Sequence, residues 1–215
     1  MISTKKHIQQ LAAILKAKGI EDIVISPGSR NGPLINTFAG SGQFNCRNIV
    51  DERSAGYFAI GLSQAIQKPV VLVCSSGTST LNYAPAVAEA FYQNIPLIIL
   101  TADRPTYWIN QGENQSINQS YIYRDFSKKE ISLPMGESDK ELWFAEREIN
   151  ECLNIGVSGI PGPVHINIPL EEPLHDLLDE GLPTVKNIEV AKTKALIAEK
   201  ELEKLATDFN RSEKV

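Results

Sequence analysis

The sequence predicts an α/β fold, a three-layer sandwich in which helices cover both faces of a mainly parallel central sheet. Two uninterrupted apolar runs point to it: Pro69-Val70-Val71-Leu72-Val73-Cys74 and Leu97-Ile98-Ile99-Leu100 have no polar position to turn toward water, so both faces of each strand must be buried. Segments of helical period separate the strand-like runs, and that alternation is the pattern of a parallel sheet. At 215 residues and 42% hydrophobic composition the chain is long enough for one well-buried domain, or one domain plus a fragment of another.

The elements follow in order. From Thr4 to Lys18, Ile8, Leu11, Ala12 and Leu15 recur at helical spacing, with Ser3 or Thr4 placed to cap the start and Gly19 to end the helix in a left-handed conformation. Ile23 to Ser26 reads as a short buried strand, Pro33 to Ala39 as a short helix and Asn45 to Val50 as a second strand. A helix of small and apolar residues is expected from about Ser54 to Gln67, and another from Leu81 to Tyr92 between the two apolar strands. Residues 102 to 120 are rich in Asn, Gln and Gly and have no period, which predicts a long functional loop. Lys129 to Leu133 reads as a strand, Lys140 to Asn154 as an amphipathic helix, and Pro163 to Ile168 as a final, alternating strand that Pro169 and Glu171-Glu172 end. After Pro183 the composition shifts to Lys, Glu and Ala, with Leu196, Leu202 and Leu205 at helical spacing. Residues 1–185 are therefore expected to form the domain, and 186–215 a linker and the severed start of a following one.

Charge and motifs exclude several classes. A net charge of -5 argues against a nucleic-acid partner, which favours a basic face. No run approaches 18 apolar residues, so no membrane insertion is expected. Cys46, Cys74 and Cys152 lack C-x-x-C spacing, and a reducing cytoplasm is the expected location. G-x-S-x-G, a Walker loop, G-x-G-x-x-G and metal-ligand clusters are all missing, and His7, His165 and His175 are not placed to serve a nucleophile.

Four loops of uncommon composition do fall at strand carboxyl ends, where parallel sheets bind ligands. Ser26-Pro27-Gly28-Ser29-Arg30 follows the first strand, Asp51-Glu52-Arg53 the second, Ser75-Ser76-Gly77-Thr78-Ser79 the third and Thr101-Ala102-Asp103-Arg104-Pro105 the fourth. On residues alone, Glu52 is either a working acid or a helix-start carboxylate that complements the helix dipole. Ser29 and Arg30 are either a carboxylate clamp or a type II turn with a solvated arginine. Arg104 either faces a ligand or pairs with Asp103.

Together these segments resemble the pyrimidine-binding domain of thiamin diphosphate enzymes, and within them the menaquinone-pathway carboligases, over roughly residues 1 to 185. The resemblance implies that Glu52 sits against N1′ of the cofactor's aminopyrimidine and assists proton loss from its thiazolium ring. It also implies that Ser76, Gly77 and Thr78 let backbone approach the pyrimidine, and that Ser29, Arg30, Arg104, Asn114 and Gln115 line a pocket for carboxylated substrates. The expected substrates are 2-oxoglutarate and isochorismate, and the expected assembly is a homodimer or homotetramer. Other thiamin diphosphate enzymes, of the acetohydroxy acid synthase or 2-oxo acid decarboxylase type, and a non-catalytic anion-binding module stand as alternatives. The chain departs from the family pattern at Asn31-Gly32 and Thr106. It also lacks the Gly-Asp-Gly segment, with Asn some thirty residues on, that holds Mg²⁺ and the diphosphate in such enzymes. The isolated chain is accordingly expected to be inactive.

Overall fold

The computed structural model describes residues 1–191 and 196–213. In chain order the strands are β1 (Ile2–Ser3), β2 (Asp22–Ile25), β3 (Asn45–Asn48), β4 (Val70–Cys74), β5 (Leu97–Asp103), β6 (Lys129–Ser132), β7 (Val164–Pro169) and β8 (Leu177–Leu178). The helices are α1 (Lys6–Ala17), α2 (Gly32–Gly40), α3 (Glu52–Ile66), α4 (Thr78–Asn82), α5 (Ala84–Tyr92), α6 (Asp139–Val157) and α7 (Glu199–Arg211), with a 3₁₀ turn at Thr106–Trp108. Six strands form one all-parallel sheet in the order β3-β2-β4-β5-β7-β6, and β1 pairs antiparallel with β8 beside it.

The register shows why the apolar runs are unbroken. Val71 and Val73 point into one core with Leu11, Leu15, Leu34 and Ile149, beneath α1, α2 and α6. Val70, Leu72 and Cys74 point into a second core with Ala55, Ala59, Ala86 and Val87, beneath α3 and α5. Every residue of β4 is buried, so the strand has no solvent face to mark with a polar side chain. The expected three-layer α/β sandwich with a parallel sheet is thus observed.

Local chemistry sets the element ends. Asp51 caps α3 by accepting from the Ser54 amide at 2.7 Å, which makes Glu52 the first helical residue and starts the helix two positions before its expected start at Ser54. Ser138 and Glu141 form a capping box at the start of α6. Gly19 ends the first helical segment with φ +69°, as its position predicts.

Three expectations are corrected. Ser3 does not occupy the cap position of α1, because Ile2–Ser3 is a strand paired with Leu177–Leu178; that position is Lys5, whose side chain makes no capping bond and whose amide donates to Ser3 Oγ at 3.3 Å. The segment from Leu81 to Tyr92 is two helices that divide at Tyr83, with Pro85 in the first turn of the second. The alternation along β7 does not mark a solvent face, since His165 and Asn167 are as buried as Val164, Ile166 and Ile168. At the other end of the domain, Asn150 and Asn154 of α6 and Lys18 hold the backbone of residues 186–188. Among the described residues no helix is long and apolar enough to cross a membrane.

The two glycines of α3 have opposite settings. A Cβ on Gly56 would lie 2.6 Å from Ala86 Cβ of α5, whereas one on Gly61 meets nothing within 4 Å. Gly56→Ala should therefore lower stability, because overpacking of about 1–3 kcal/mol outweighs the roughly 1 kcal/mol gained in helix propensity. Gly61→Ala should raise it by about 0.5–1 kcal/mol. Urea unfolding of both variants checks the pair; equal shifts would mean that α3 is not pressed against α5.

Candidate functional site

The carboxyl ends of β2, β3 and β4 are tied together by one buried hydroxyl. Ser26 Oγ donates to the Ile49 carbonyl at 2.9 Å, and the buried Tyr83 hydroxyl reaches both Ser26 Oγ at 3.1 Å and the Val73 carbonyl at 2.9 Å. Burial pushes the Tyr83 phenol well above its ordinary pKa, so it remains a donor. Asn31, at 0% exposure, brackets the next turn: its Oδ1 accepts from the Gly28 amide at 2.8 Å and its Nδ2 donates to the Ser26 carbonyl at 2.9 Å. Gly28 has no room for a side chain, since a Cβ there would lie 2.5 Å from Ser75 Cβ. Asn31, one of the residues at which the chain departs from the expected pattern, thus shapes the first turn, a role for which a lone Asn gives no sequence signal.

Glu52 stands at the start of α3, half-buried, and accepts from Asn82 Nδ2 of α4 at 3.2 Å. That is its one protein hydrogen bond among the described residues. The first helical position puts the carboxylate at the positive end of the helix dipole and on the rim with the other loops.

Arg30 and Arg104 line one cleft of about 300 Å³ with Pro105, Tyr107, Trp108, Glu171 and Glu172. Arg30 is not a solvated turn residue: it is 8% exposed, donates to the Leu170 carbonyl at 3.2 Å and pairs with Glu172 at 3.2 Å. Burial, and next the charge of Arg104, lower its guanidinium pKa. The Arg104 guanidinium pairs with Glu113 at 3.2 Å rather than with Asp103, which instead accepts from the Arg104 backbone amide at 2.8 Å. Arg104 Nε is buried with no partner among the described residues, an unmet donor. Ser29, Asn114 and Gln115 are exposed.

The Ser75–Thr78 turn is held from the other side by the 115–119 segment. Ser76 Oγ donates to the Gln115 carbonyl at 2.9 Å, and the Gly77 amide donates to Gln119 Oε1 at 2.7 Å. Gly77 has φ +78°, and a Cβ there would lie 2.9 Å from the Gln115 backbone. The space left by its missing side chain is therefore filled by the chain's own loop, while Thr78 is exposed. Behind the turn, Gln119, Asn167, Asp103, Thr101, His165 and Glu130 form a continuous buried polar seam. Sequence reasoning missed this seam. The Val-His-Ile-Asn-Ile alternation was its only trace, and alternation reads as a half-exposed strand.

Fold and rim together define a thiamin diphosphate enzyme domain, and comparison with known sequences agrees. Residues 5–122 match the family described as thiamine pyrophosphate enzyme, N-terminal TPP binding domain, and the chain belongs to it. A 2-succinyl-5-enolpyruvyl-6-hydroxy-3-cyclohexene-1-carboxylate synthase from Bacteroides fragilis is 46% identical over 189 residues, covering 87% of this chain and 34% of that protein. Proteins of the same name from Desulfotalea psychrophila and Porphyromonas gingivalis are 45% identical over 195 residues (89% of this chain, 36% of theirs) and 48% over 174 residues (80% and 30%). The chain spans about a third of the length of the curated relatives it matches.

The seam has a pH signature. Burial lifts the Asp103 carboxyl from 3.8 to about 6, against the opposing bonds from Asn167 and the Arg104 amide and the charge of Arg30. A carboxyl whose pKa is raised by folding contributes stability that is fully present below its unfolded value and lost as pH rises through the folded one. The melting-temperature difference between Asp103→Asn and the unaltered chain should hence move in the variant's favour as pH rises through about 6. A difference that stays flat in thermal melts across that range would place the carboxyl in water.

Proposed function

We propose that this chain is the pyrimidine-binding part of a thiamin diphosphate carboligase that decarboxylates 2-oxoglutarate and adds the succinyl semialdehyde unit to isochorismate, in menaquinone biosynthesis. The observation that carries this reading is the pair of arginines in one cleft. Arg30 and Arg104 are each neutralised by an internal carboxylate, Glu172 and Glu113, and Arg104 Nε lacks any partner among the described residues. A site that holds carboxylates of its own on two arginines suits acidic substrates, whose carboxylates take the same places. The name borne by the relatives, a cyclohexene carboxylate synthase, supports the same substrate class.

When bound, thiamin diphosphate supplies the nucleophilic carbon and electron sink that cleavage of a 2-oxo acid requires. The residues of this chain suit the cofactor's aminopyrimidine. Glu52 presents a carboxylate that Asn82 orients and that has no other protein partner among the described residues, so it can accept and exchange a proton with a ring nitrogen. The Ser75–Thr78 turn, fixed by Gln115 and Gln119, provides rigid backbone beside it. Ser29, Asn114 and Gln115, exposed on the rim, add polar contacts for the substrates.

Among the described residues no cluster of His, Cys, Asp and Glu is arranged to hold a metal ion. We assign Mg²⁺ and the diphosphate to the part of the enzyme that corresponds to the relatives' remaining length. Catalysis then takes place between two such parts, in a cytoplasmic homodimer or homotetramer. Tyr57 and Phe58 on the outer face of α3 and Leu81 on α4, all more than 40% exposed beside Glu52 and Asn82, suit such an interface.

Two measurements on the full-length enzyme test the proposal. Glu52→Gln should keep the fold and lower turnover by roughly 10²–10⁴; near-normal turnover would leave Glu52 as a helix-start acid only. Arg30→Ala and Arg104→Ala should each weaken the handling of the acid substrates by about 1.5–3 kcal/mol with the thiamin diphosphate constant unchanged. Loss of cofactor binding at unchanged substrate constants would reverse the assignment.

A further inference from the structure

The hydrogens of the buried seam behind the Ser75–Thr78 turn can be assigned bond by bond, from Gly77 to Thr101. A backbone amide only donates, so the Gln119 atom 2.7 Å from the Gly77 amide is its oxygen. Gln119 Nε2 then donates to the Ala102 carbonyl at 3.1 Å and to Asn167 at 2.8 Å. The Asn167 atom that receives it must be Oδ1, because two amide nitrogens cannot share a hydrogen bond at that distance. Asn167 Nδ2 is thereby turned to Asp103 Oδ2 at 2.8 Å, whatever the protonation of that carboxyl.

The same Oδ1 lies 2.9 Å from Thr101 Oγ1. It carries no hydrogen, so the threonine hydroxyl must donate to it. The Thr101 oxygen is left as an acceptor, and the group that meets it is His165 Nε2 at 2.7 Å. Nε2 must therefore be protonated. On the ring's other side, Nδ1 lies 2.8 Å from Glu130 Oε2, which fixes the orientation of the imidazole. All of these side chains are buried: Gln119, Thr101 and His165 are 0% exposed and Asn167 2%, and Tyr123 packs edge-on against the imidazole at 4.9 Å. Gln119 and Thr101 are fully enclosed, so the bonds between them, Asn167 and the turn keep their directions, while a cavity of about 130 Å³ borders Glu130, His165 and Asn167.

We propose that Gln119 is the positioning residue for the Ser75–Thr78 turn, and that it acts through a one-way hydrogen-bond chain in which His165 is held with its Nε2 proton on Thr101. Gln119 is fully buried behind the turn. It removes the rotational freedom of Gly77, whose left-handed backbone has no side chain to anchor it, and ties the turn to β5 and β7. Asn167 and Thr101 keep the Gln119 amide from flipping, and His165 with Glu130 keeps Thr101 from reversing. The link to catalysis rests on the reading of Ser76–Thr78 as the turn that faces the cofactor's pyrimidine; the chain of donors and acceptors does not.

The experiment has one arm for each part. Long-range ¹H–¹⁵N spectra of the 215-residue chain should show His165 protonated at Nε2 near neutral pH; a bare Nε2 overturns the chain of bonds with no variant needed. In Gln119→Leu, the Gly77 amide should exchange its hydrogen at least about tenfold faster than in the unaltered chain, as expected for one lost buried bond. An unchanged rate overturns the role of Gln119. In the full-length enzyme the same variant should raise the half-saturating thiamin diphosphate concentration about tenfold while the KM values of the acid substrates stay within about twofold, a split that general destabilisation would not produce. Faster exchange with an unshifted cofactor constant would overturn the positioning role while leaving the function standing if Glu52→Gln shows its expected loss of turnover; if Glu52→Gln is fully active, the functional reading itself fails.

Discussion

A sheet covered on both faces leaves no buried polar group the option of water, and the candidate site is organised by that constraint. On β5 and β7 the side chains of Thr101, Asp103, His165 and Asn167 lie in the interior among Leu, Ile and Val. An unpaired polar group there costs about 1–3 kcal/mol, so each must find a partner on another element. The partners are Gln119 from the long loop, the Arg104 amide from the rim and Glu130 from β6. The requirement to satisfy these groups is what draws an otherwise irregular segment down onto the sheet and gives it a fixed shape.

The same logic operates at the first turn. Ser26, Asn31 and Tyr83 join three strand ends through side-chain bonds to backbone, and Gly28 lets the β2 turn come into contact with Ser75. Loops fastened in this way present their remaining groups with little freedom to lose, which is the condition for placing a carboxylate and two arginines for ligands. Arg30 and Arg104 add a further feature. Their charges are answered within the chain by Glu172, 67% exposed, and Glu113, which is less exposed, so the pairs lie at the mouth of the cleft and not deep in the core.

Much of this was legible from residues alone. The parallel sheet followed from β4 and β5 because a run such as Val70–Cys74 has a single physical explanation, and the rim position of Arg30, Glu52, Gly77 and Arg104 followed from the sheet. Resemblance added a chemical role for each. Less legible were the short strand at Ile2–Ser3, which depends on the remote Leu177–Leu178, and the break at Tyr83, where the phenol is drawn inward to Ser26. The strand that carries His165 and Asn167 lies where its pattern puts it, yet both side chains are buried, because alternation records a change of polarity and not whether water is present.

What the sequence determined by itself was therefore the set of elements, their order and the loops able to carry chemistry, since periodicity and composition are local and each segment states its own. What only the tertiary structure decided was which groups are shared between segments: that Arg104 turns to Glu113 and not to Asp103, that Asn31 brackets a turn, and that Gly77 hangs on Gln119. Those choices depend on distances between residues remote in the chain, and no single segment contains the information, because a hydrogen bond needs both of its ends.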